Sequence, residues 1–317
     1  MTRRHPSVGA VRGALADQPM MSMFCTYQQP DLIELFGAER MVRLPIAENT
    51  MLGMAVGMAL LGRRVLVSIA RAAFLFSAFD QLINEATKWR YMSDGQFTVP
   101  VVVRGLTQGG EQLGAQHEHA AHGLLSQIPG LVVAVPGSPN ATAGLLRTAL
   151  VHPDPVVVLE SPRLYAPDWA SLPEPEPTDA ALPFGVAGRA RPGRDLTLVG
   201  IGNTVATCLR AAAVLDRDGL HAQVVDLRTA APLDLDGVAA MVRHAGGQVI
   251  LVDEAPAGAS IMSALGLHLV RAGAVAPQRL DVIAGAPVPA PVSPPLSAAL
   301  LPDEEHVVSA ARRGAAR

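Results

Sequence analysis

At 317 residues, with 50% hydrophobic and 17% charged side chains, the chain is long enough for two domains with substantial cores. A net charge of −3, with both signs interspersed, excludes the electrostatic footprint of a nucleic-acid binder. The charged fraction lies below the roughly 25% of an average soluble domain, which points to a surface covered in part by apolar protein or small molecules. Cys25 and Cys208, in different halves, exclude a disulfide framework or a zinc knuckle, so a cytoplasmic location is expected.

The basic start, Met1 to Pro6, has no apolar core behind it and does not read as a secretory signal. A short helix is expected near Ser7 to Leu15. Next comes a strand-like run, Met41-Val42-Arg43-Leu44, and then Pro45-Ile46-Ala47-Glu48-Asn49-Thr50, which drops one carboxylate at the head of a helix, Glu48 to Leu61. That helix carries no charge from Met51 to Leu61 and is shorter than the roughly 20 residues that cross a bilayer. Glu48 is therefore a buried acid by expectation. A buried carboxylate must be neutralised, paired or bonded to something specific, because desolvating an isolated charge is costly. The residues alone leave a second reading open, in which Glu48 simply complements the positive end of the helix dipole.

Strands are expected at Val65 to Ile69, Val99 to Arg104, Leu131 to Val135 and Val156 to Glu160. Their β-branched runs without strict alternation fit a parallel sheet covered on both faces. Helices fall between them at Ser77 to Met92 and Asn140 to Val151, the latter opened by Ser138-Pro139-Asn140. This is an α/β layer architecture. Prolines crowd the stretch from Ala166 to Asp195, which reads as an interdomain connection. We assign a first domain to 1–170, a linker to 171–195 and a smaller α/β domain to 196–317. In the second domain, strands are expected at Leu196 to Gly200, Ala222 to Asp226, Val249 to Asp253 and Leu280 to Ile283. Helices are expected at Thr204 to Asp216, Leu235 to His244 and Ser260 to Arg271. Pro287 to Pro295 reads as an extended strap leading to a closing helix, Asp303 to Arg313.

Three histidines, His117, His119 and His122, share one Gly- and Gln-rich loop. The zinc helix pattern His-Glu-x-x-His fails here, because Ala121 stands in the fifth place. No metal site is assigned, and a ligand loop at the carboxyl edge of a parallel sheet is the better reading. Gly200-Ile201-Gly202-Asn203-Thr204-Val205 approaches a dinucleotide fingerprint but lacks the third glycine, and a tight strand-to-helix turn explains it equally well. Walker and Gly-x-Ser-x-Gly sequences do not occur.

Several long motifs in order carry a resemblance from about residue 30 onward. They are Pro45-Ile46-Ala47-Glu48, the run Ala78 to Lys88, the run Tyr91 to Pro100, Ala115-Gln116-His117, Ile128-Pro129-Gly130-Leu131 and Asp154-Pro155-Val156. The chain resembles the beta subunit of the thiamine diphosphate-dependent first component of 2-oxo acid dehydrogenases, within the transketolase-like group. Val225-Asp226-Leu227-Arg228-Thr229, Pro232-Leu233-Asp234 and Val252-Asp253-Glu254 resemble the transketolase-type C-terminal domain.

The resemblance implies roles. Glu48 would hydrogen-bond the aminopyrimidine ring nitrogen of thiamine diphosphate and so favour the imino form that deprotonates the thiazolium carbon. Phe74 would pack on the aminopyrimidine face; as a residue it also reads as an ordinary core aromatic. His117 would reach the reacting centre, and Gln116 would position His117 or the substrate. His119 and His122 read as solvated loop residues, Asp80 and Asn84 as structural, and Glu254 as a turn or interface residue. The Gly-Asp-Gly…Asn signature that holds Mg2+ and the diphosphate in the partner half of this machinery is missing. Ser93-Asp94-Gly95 and Leu235-Asp236-Gly237 do not fit it and read as turns. The resemblance thus implies an alpha-type subunit, a site between chains, an α2β2 assembly and no membrane or nucleic-acid partner.

Departures from the family are visible. The segment Met20 to Thr26 lacks the family's acidic residue, and the family's His-Ser-Gln is His117-Glu118-His119 here. The leading expectation is decarboxylation of a 2-oxo acid of pyruvate or branched-chain type, with acyl transfer to lipoamide and a lipoyl acyltransferase as further partner. The alternative is a split transketolase-like carboligase that delivers the unit to an aldehyde or ketone. A noncatalytic scaffold is the third reading, and Glu48, Phe74 and His117 together argue against it.

Overall fold

Runs of Val, Leu and Ile without polar alternation become buried parallel strands. The computed structural model describes residues 22–25, 39–107, 109–166, 169, 171–174, 176–177 and 180–315; the helix expected near 7–15 lies outside them. In the first half, β1 (Ser22–Cys25), β2 (Met41–Arg43), β3 (Val65–Arg71), β4 (Val101–Leu106), β5 (Val132–Ala134) and β6 (Val156–Glu160) pair in parallel, in the order β5-β6-β4-β3-β1-β2. The helices α1 (Glu48–Leu60), α2 (Trp89–Met92), α3 (His122–Leu125) and α4 (Pro139–Val151) lie between these strands in sequence. Ser138 caps α4 by accepting the Ala141 N–H at 3.0 Å, as its sequence signal implies.

The long helix expected over Ser77 to Met92 is divided in the structure. Ala72–Ala78 forms a 3₁₀ segment, Asp80–Ala86 a π-helical one, and only Trp89–Met92 is α-helical. Apolar spacing marks a helix without specifying its hydrogen-bond ring, and π turns of this kind recur at functional sites.

The second half builds a mixed sheet from β7 (Gly188–Arg191), β8 (Leu196–Gly200), β9 (Ala222–Asp226), β11 (Gln248–Pro256) and β12 (Leu280–Gly285), in the order β12-β11-β8-β9-β7 with only β7 antiparallel. β7 lies inside the stretch 171–195 read as linker, so the second sheet begins before residue 195. Helices α5 (Thr204–Leu215), α6 (Leu235–Ala245), α7 (Met262–Arg271), α8 (Pro294–Leu300) and α9 (Glu304–Ala315) complete this half, and α8 takes the last residues of the proline strap. At Gly202 the backbone adopts φ +57°, and a Cβ on Gly200 would come within 2.9 Å of the Val205 nitrogen. The glycines of that turn thus serve strand-to-helix packing.

The two halves are sewn together. β10 (Thr229–Ala231), from the second half, adds antiparallel to β5 and extends the first sheet. One apolar core runs across the seam, joining Val133, Val135 and Leu159 to Val199, Ile201 and Leu227. Beside it the Gly137 N–H donates to Asp226 Oδ2 at 3.2 Å, and the Arg228 guanidinium pairs with Glu176. The opposite face of the first sheet packs under α4, and that of the second under α5 and α9.

Candidate active site

Three segments leave the carboxyl edge of the first sheet, where ligands bind in open α/β folds. The turn after β2 leads into α1, the 3₁₀ segment Ala72–Ala78 follows β3, and the histidine loop follows the adjacent strand β4.

Glu48 is the first residue of α1 and is largely buried, at 9% exposure. Ala47 contributes no side-chain cap, so the carboxylate complements the uncapped helix start. Among the described residues it has no side-chain hydrogen bond or ion pair. The helix-dipole role is therefore met, and the oxygens remain available to a ligand. The rest of α1 buries Met51, Leu52, Ala55, Val56 and Ala59, a helical stripe that seats it on the core. One side-chain hydrogen bond fixes it against the neighbouring segment, and a second braces that segment internally. Asn49 Nδ2 donates to the Ser77 carbonyl at 3.3 Å, and Ser77 Oγ donates to the Phe74 carbonyl at 2.9 Å. Glu48 is thereby tied, through its neighbour, to the turn that carries Phe74.

Phe74 is half-buried and meets the His117 ring edge to face, with centroids 5.3 Å apart. Phe76 does the same for His119, at 5.0 Å. Both imidazoles thus stand on the 3₁₀ segment. The loop beneath them is closed by Glu118, 3% exposed, whose carboxylate accepts the N–H groups of Glu111 at 3.0 Å and Leu113 at 2.7 Å. Thr107 Oγ1 donates to the His119 carbonyl at 3.2 Å, and Arg71 pairs with Glu111. His117 and Gln116 remain exposed, and Gln116 makes no side-chain hydrogen bond among the described residues.

The structure corrects the reading of His122. It is not solvated: it is 3% exposed, and its Nε2 lies 2.9 Å from Asp253 Oδ1, across the domain seam. Glu254, taken for a turn or interface residue, is buried beside this pair and accepts from Asn203 Nδ2 at 2.8 Å. Burial pushes its carboxyl up to about 7 against that hydrogen bond and the positive charge of Arg163. Both positions escaped sequence reasoning because their partners lie far along the chain.

The three histidines go separate ways, to Phe74, Phe76 and Asp253. Among the described residues no group of three or more His, Cys, Asp or Glu side chains is placed to hold a metal ion. Asp80 accepts from Asn84 Nδ2 at 2.7 Å within its own helical segment, not from a neighbouring loop. Ser93-Asp94-Gly95 is a turn with Asp94 at φ 52° and Gly95 at φ 78°, whereas Asp236 and Gly237 lie in the first turn of α6 under an Asp234 cap.

Residues 4–167 match the family described as transketolase, pyrimidine binding domain, and residues 185–307 match transketolase, C-terminal domain. The chain is 35% identical over 289 residues to the mitochondrial pyruvate dehydrogenase E1 component subunit beta of Pisum sativum, covering 90% of this chain and 80% of that protein. It is 34% identical over 276 residues to the acetoin:2,6-dichlorophenolindophenol oxidoreductase subunit beta of Cupriavidus necator, covering 87% and 80%. A solved split-gene transketolase, described as an inactive beta4 tetramer, superposes with a TM-score of 0.78 at 21% identity, over 98% of this chain and 97% of that one, and shows the fold. With a transketolase pyrimidine-binding domain followed by a transketolase C-terminal domain, the chain belongs to the beta-subunit family of thiamine diphosphate-dependent 2-oxo acid dehydrogenase first components.

Proposed function

We propose that this chain is the half of a two-component enzyme that receives the pyrimidine end of thiamine diphosphate, decarboxylates a 2-oxo acid of pyruvate or branched-chain type and passes the acyl group to lipoamide. The observation that carries this reading is Glu48, a largely buried carboxylate without a partner among the described residues, heading an apolar helix tied to the turn of Phe74. A carboxylate with its oxygens free at the head of such a helix can receive a polar guest. A flat aminopyrimidine with ring nitrogens fits it, with Phe74 offering an aromatic face beside it. When bound, thiamine diphosphate supplies the centre that accepts the electron pair as CO2 leaves.

The chain's own residues then have distinct work. A Glu48 carboxyl oxygen holds a proton at the pyrimidine ring nitrogen. Phe74 orients the pyrimidine ring. His117, held over Phe74, presents a ring nitrogen to the substrate carboxylate and moves a proton during acyl transfer. Gln116, beside it and exposed, completes the substrate side. Mg2+ and the diphosphate fall to an alpha-type subunit in an α2β2 assembly, because the sequence lacks the Gly-Asp-Gly…Asn signature. Ile46, Leu61 and Tyr91, 80%, 85% and 88% exposed, supply apolar surface for such a partner, and Ile46 stands two residues from Glu48. A lipoyl acyltransferase is the further partner. Two buried, unpaired thiols, Cys25 and Cys208, suit a reducing cytoplasm, and no described helix is long and apolar enough to cross a membrane.

One observation favours a second reading. Glu118 turns inward to bind backbone N–H groups where the family has serine, so the loop around His117 is built differently. A carboligase that delivers the unit to an aldehyde or ketone follows if the acceptor side has changed. Co-expression with the alpha-type subunit, followed by 2-oxo acid turnover with a lipoyl domain or an aldehyde as acceptor, separates the two. Acyl-lipoyl product supports the first reading and carbon–carbon bond formation the second; the absence of CO2 release from any 2-oxo acid contradicts the first.

A further inference from the structure

His122 and Asp253 join the histidine loop to the second domain, and no other side-chain hydrogen bond described for that loop does so. The Asp253 carboxylate is held rigidly: Oδ1 accepts the Ala255 N–H at 3.0 Å, and Oδ2 accepts from Ser260 Oγ at 2.6 Å. Ser260 Oγ in turn accepts the Met262 N–H at 3.1 Å, at the start of α7. Asp253 thus offers His122 an acceptor whose position is set entirely by its own domain. The next residue along the loop reinforces the seam. A Cβ on Gly123 would lie 1.8 Å from the Ala259 carbonyl oxygen, so only glycine lets the two backbones approach this closely.

Within the loop Glu118 accepts the N–H groups of Glu111 and Leu113, while Thr107, Phe74 and Phe76 tie it to the first domain. The geometry points to Asp253 as a positioning residue: through His122 it fixes, from the second domain, the outgoing end of the loop that presents His117. The part of this inference that names His117 rests on the function proposed above; the tether itself does not.

The groups facing His122 give the tether a pH dependence. They are Asp253 and Glu254 on β11, the neutral Ser260 hydroxyl, and His119 on the loop, with Arg163 acting on Glu254 from the turn after β6. Burial disfavours the imidazolium, but the Asp253 charge and hydrogen bond, helped by Glu254, outweigh it and hold His122 above its ordinary value of 6.5. Burial likewise opposes the Asp253 anion, and the His122 charge, its hydrogen bond and those of Ser260 and Ala255 hold Asp253 below its ordinary 3.8. The pair is therefore complete between those two ordinary values. It is lost as pH rises through the elevated histidine value and as pH falls through the depressed aspartate one.

Hydrogen exchange on the full chain, corrected for intrinsic rates, tests the tether. His122→Gln and Asp253→Asn are each expected to speed exchange across 109–121 about tenfold or more at pH 7, while Val156–Glu160 and Leu196–Gly200 keep their protection. The wild type should approach the variants as pH rises from 6 to 9. Exchange in 109–121 within about twofold of wild type in both variants overturns the proposal. If neither variant folds, the wild-type profile decides alone, and a loop whose corrected exchange stays flat from pH 6 to 9 overturns it. In the complex with the alpha-type subunit, His122→Gln should lower kcat more than it changes KM and remove the alkaline limb of the kcat profile. A wild-type complex with no 2-oxo acid turnover would count against the proposed function and leave the exchange result standing.

Discussion

The rings of Phe74 and His117 meet nearly edge to face, with centroids 5.3 Å apart and planes inclined at 74°. One aromatic side chain thereby props the exposed imidazole and borders the space next to Glu48's helix. Phe74→Ala is expected to raise the Kd of the assembled enzyme for thiamine diphosphate about tenfold, the scale of a lost aromatic contact. Calorimetric titration of the complex measures it, and an unchanged Kd would leave Phe74 as a core residue only.

His117→Ala should separate the two halves of the reaction. Positioned acid–base groups contribute about 10²-fold or more, so acyl transfer should fall by at least that factor. Subunit assembly, followed by size-exclusion chromatography, should persist, because His117 is exposed and its side chain makes no hydrogen bond among the described residues. An unaltered product profile would remove His117 from the reacting centre.

The isolated chain should bind thiamine diphosphate poorly, because it would contact only the pyrimidine end. Titration calorimetry without a partner is expected to give at least about a hundredfold weaker binding than the complex, equivalent to about 2.7 kcal/mol. Tight binding by the chain alone would contradict a site shared between subunits.

Stability should carry the mark of Glu254. Its carboxyl, pushed up to about 7 by burial, holds a proton in the folded state over a range where the unfolded chain, near 4.5, has lost it. Folding stability is therefore highest below about 4.5 for this group and declines as pH rises toward 7. Asp226, which burial also pushes up to about 7, adds to the same decline. Glu254→Gln, which keeps an oxygen for Asn203, should flatten part of the fall between pH 5 and 7 in urea denaturation. Parallel wild-type and variant curves would show that Glu254 is ionised throughout.

The sequence disclosed elements whose cause is local. Val156–Glu160, Leu196–Gly200 and Ala222–Asp226 match their apolar runs residue for residue, because a buried parallel strand is itself a β-branched run ended by a turn. Helix α1 and its leading acid were equally legible, since a lone carboxylate at the head of an apolar stretch is a local contradiction. What stayed hidden depends on distant partners. β10 is three residues long, and its antiparallel partner β5 lies in the other half. His122 looks like one more loop histidine until Asp253, 131 residues later, is brought against it. The π-helical turn Asp80–Ala86 also escaped, because side-chain spacing does not distinguish neighbouring helical pitches.

Glu48 is where the account is most exposed, because its carboxylate is assigned a proton that only the carboxyl, and not an amide of the same shape, can manage. Glu48→Gln, co-expressed with the alpha-type subunit and assayed for CO2 release from 2-oxo acids, should assemble normally, since no described side chain depends on this carboxylate. Its turnover should fall by about 10²-fold or more. An assembled variant that releases CO2 within about threefold of the wild-type rate would contradict the role given to Glu48.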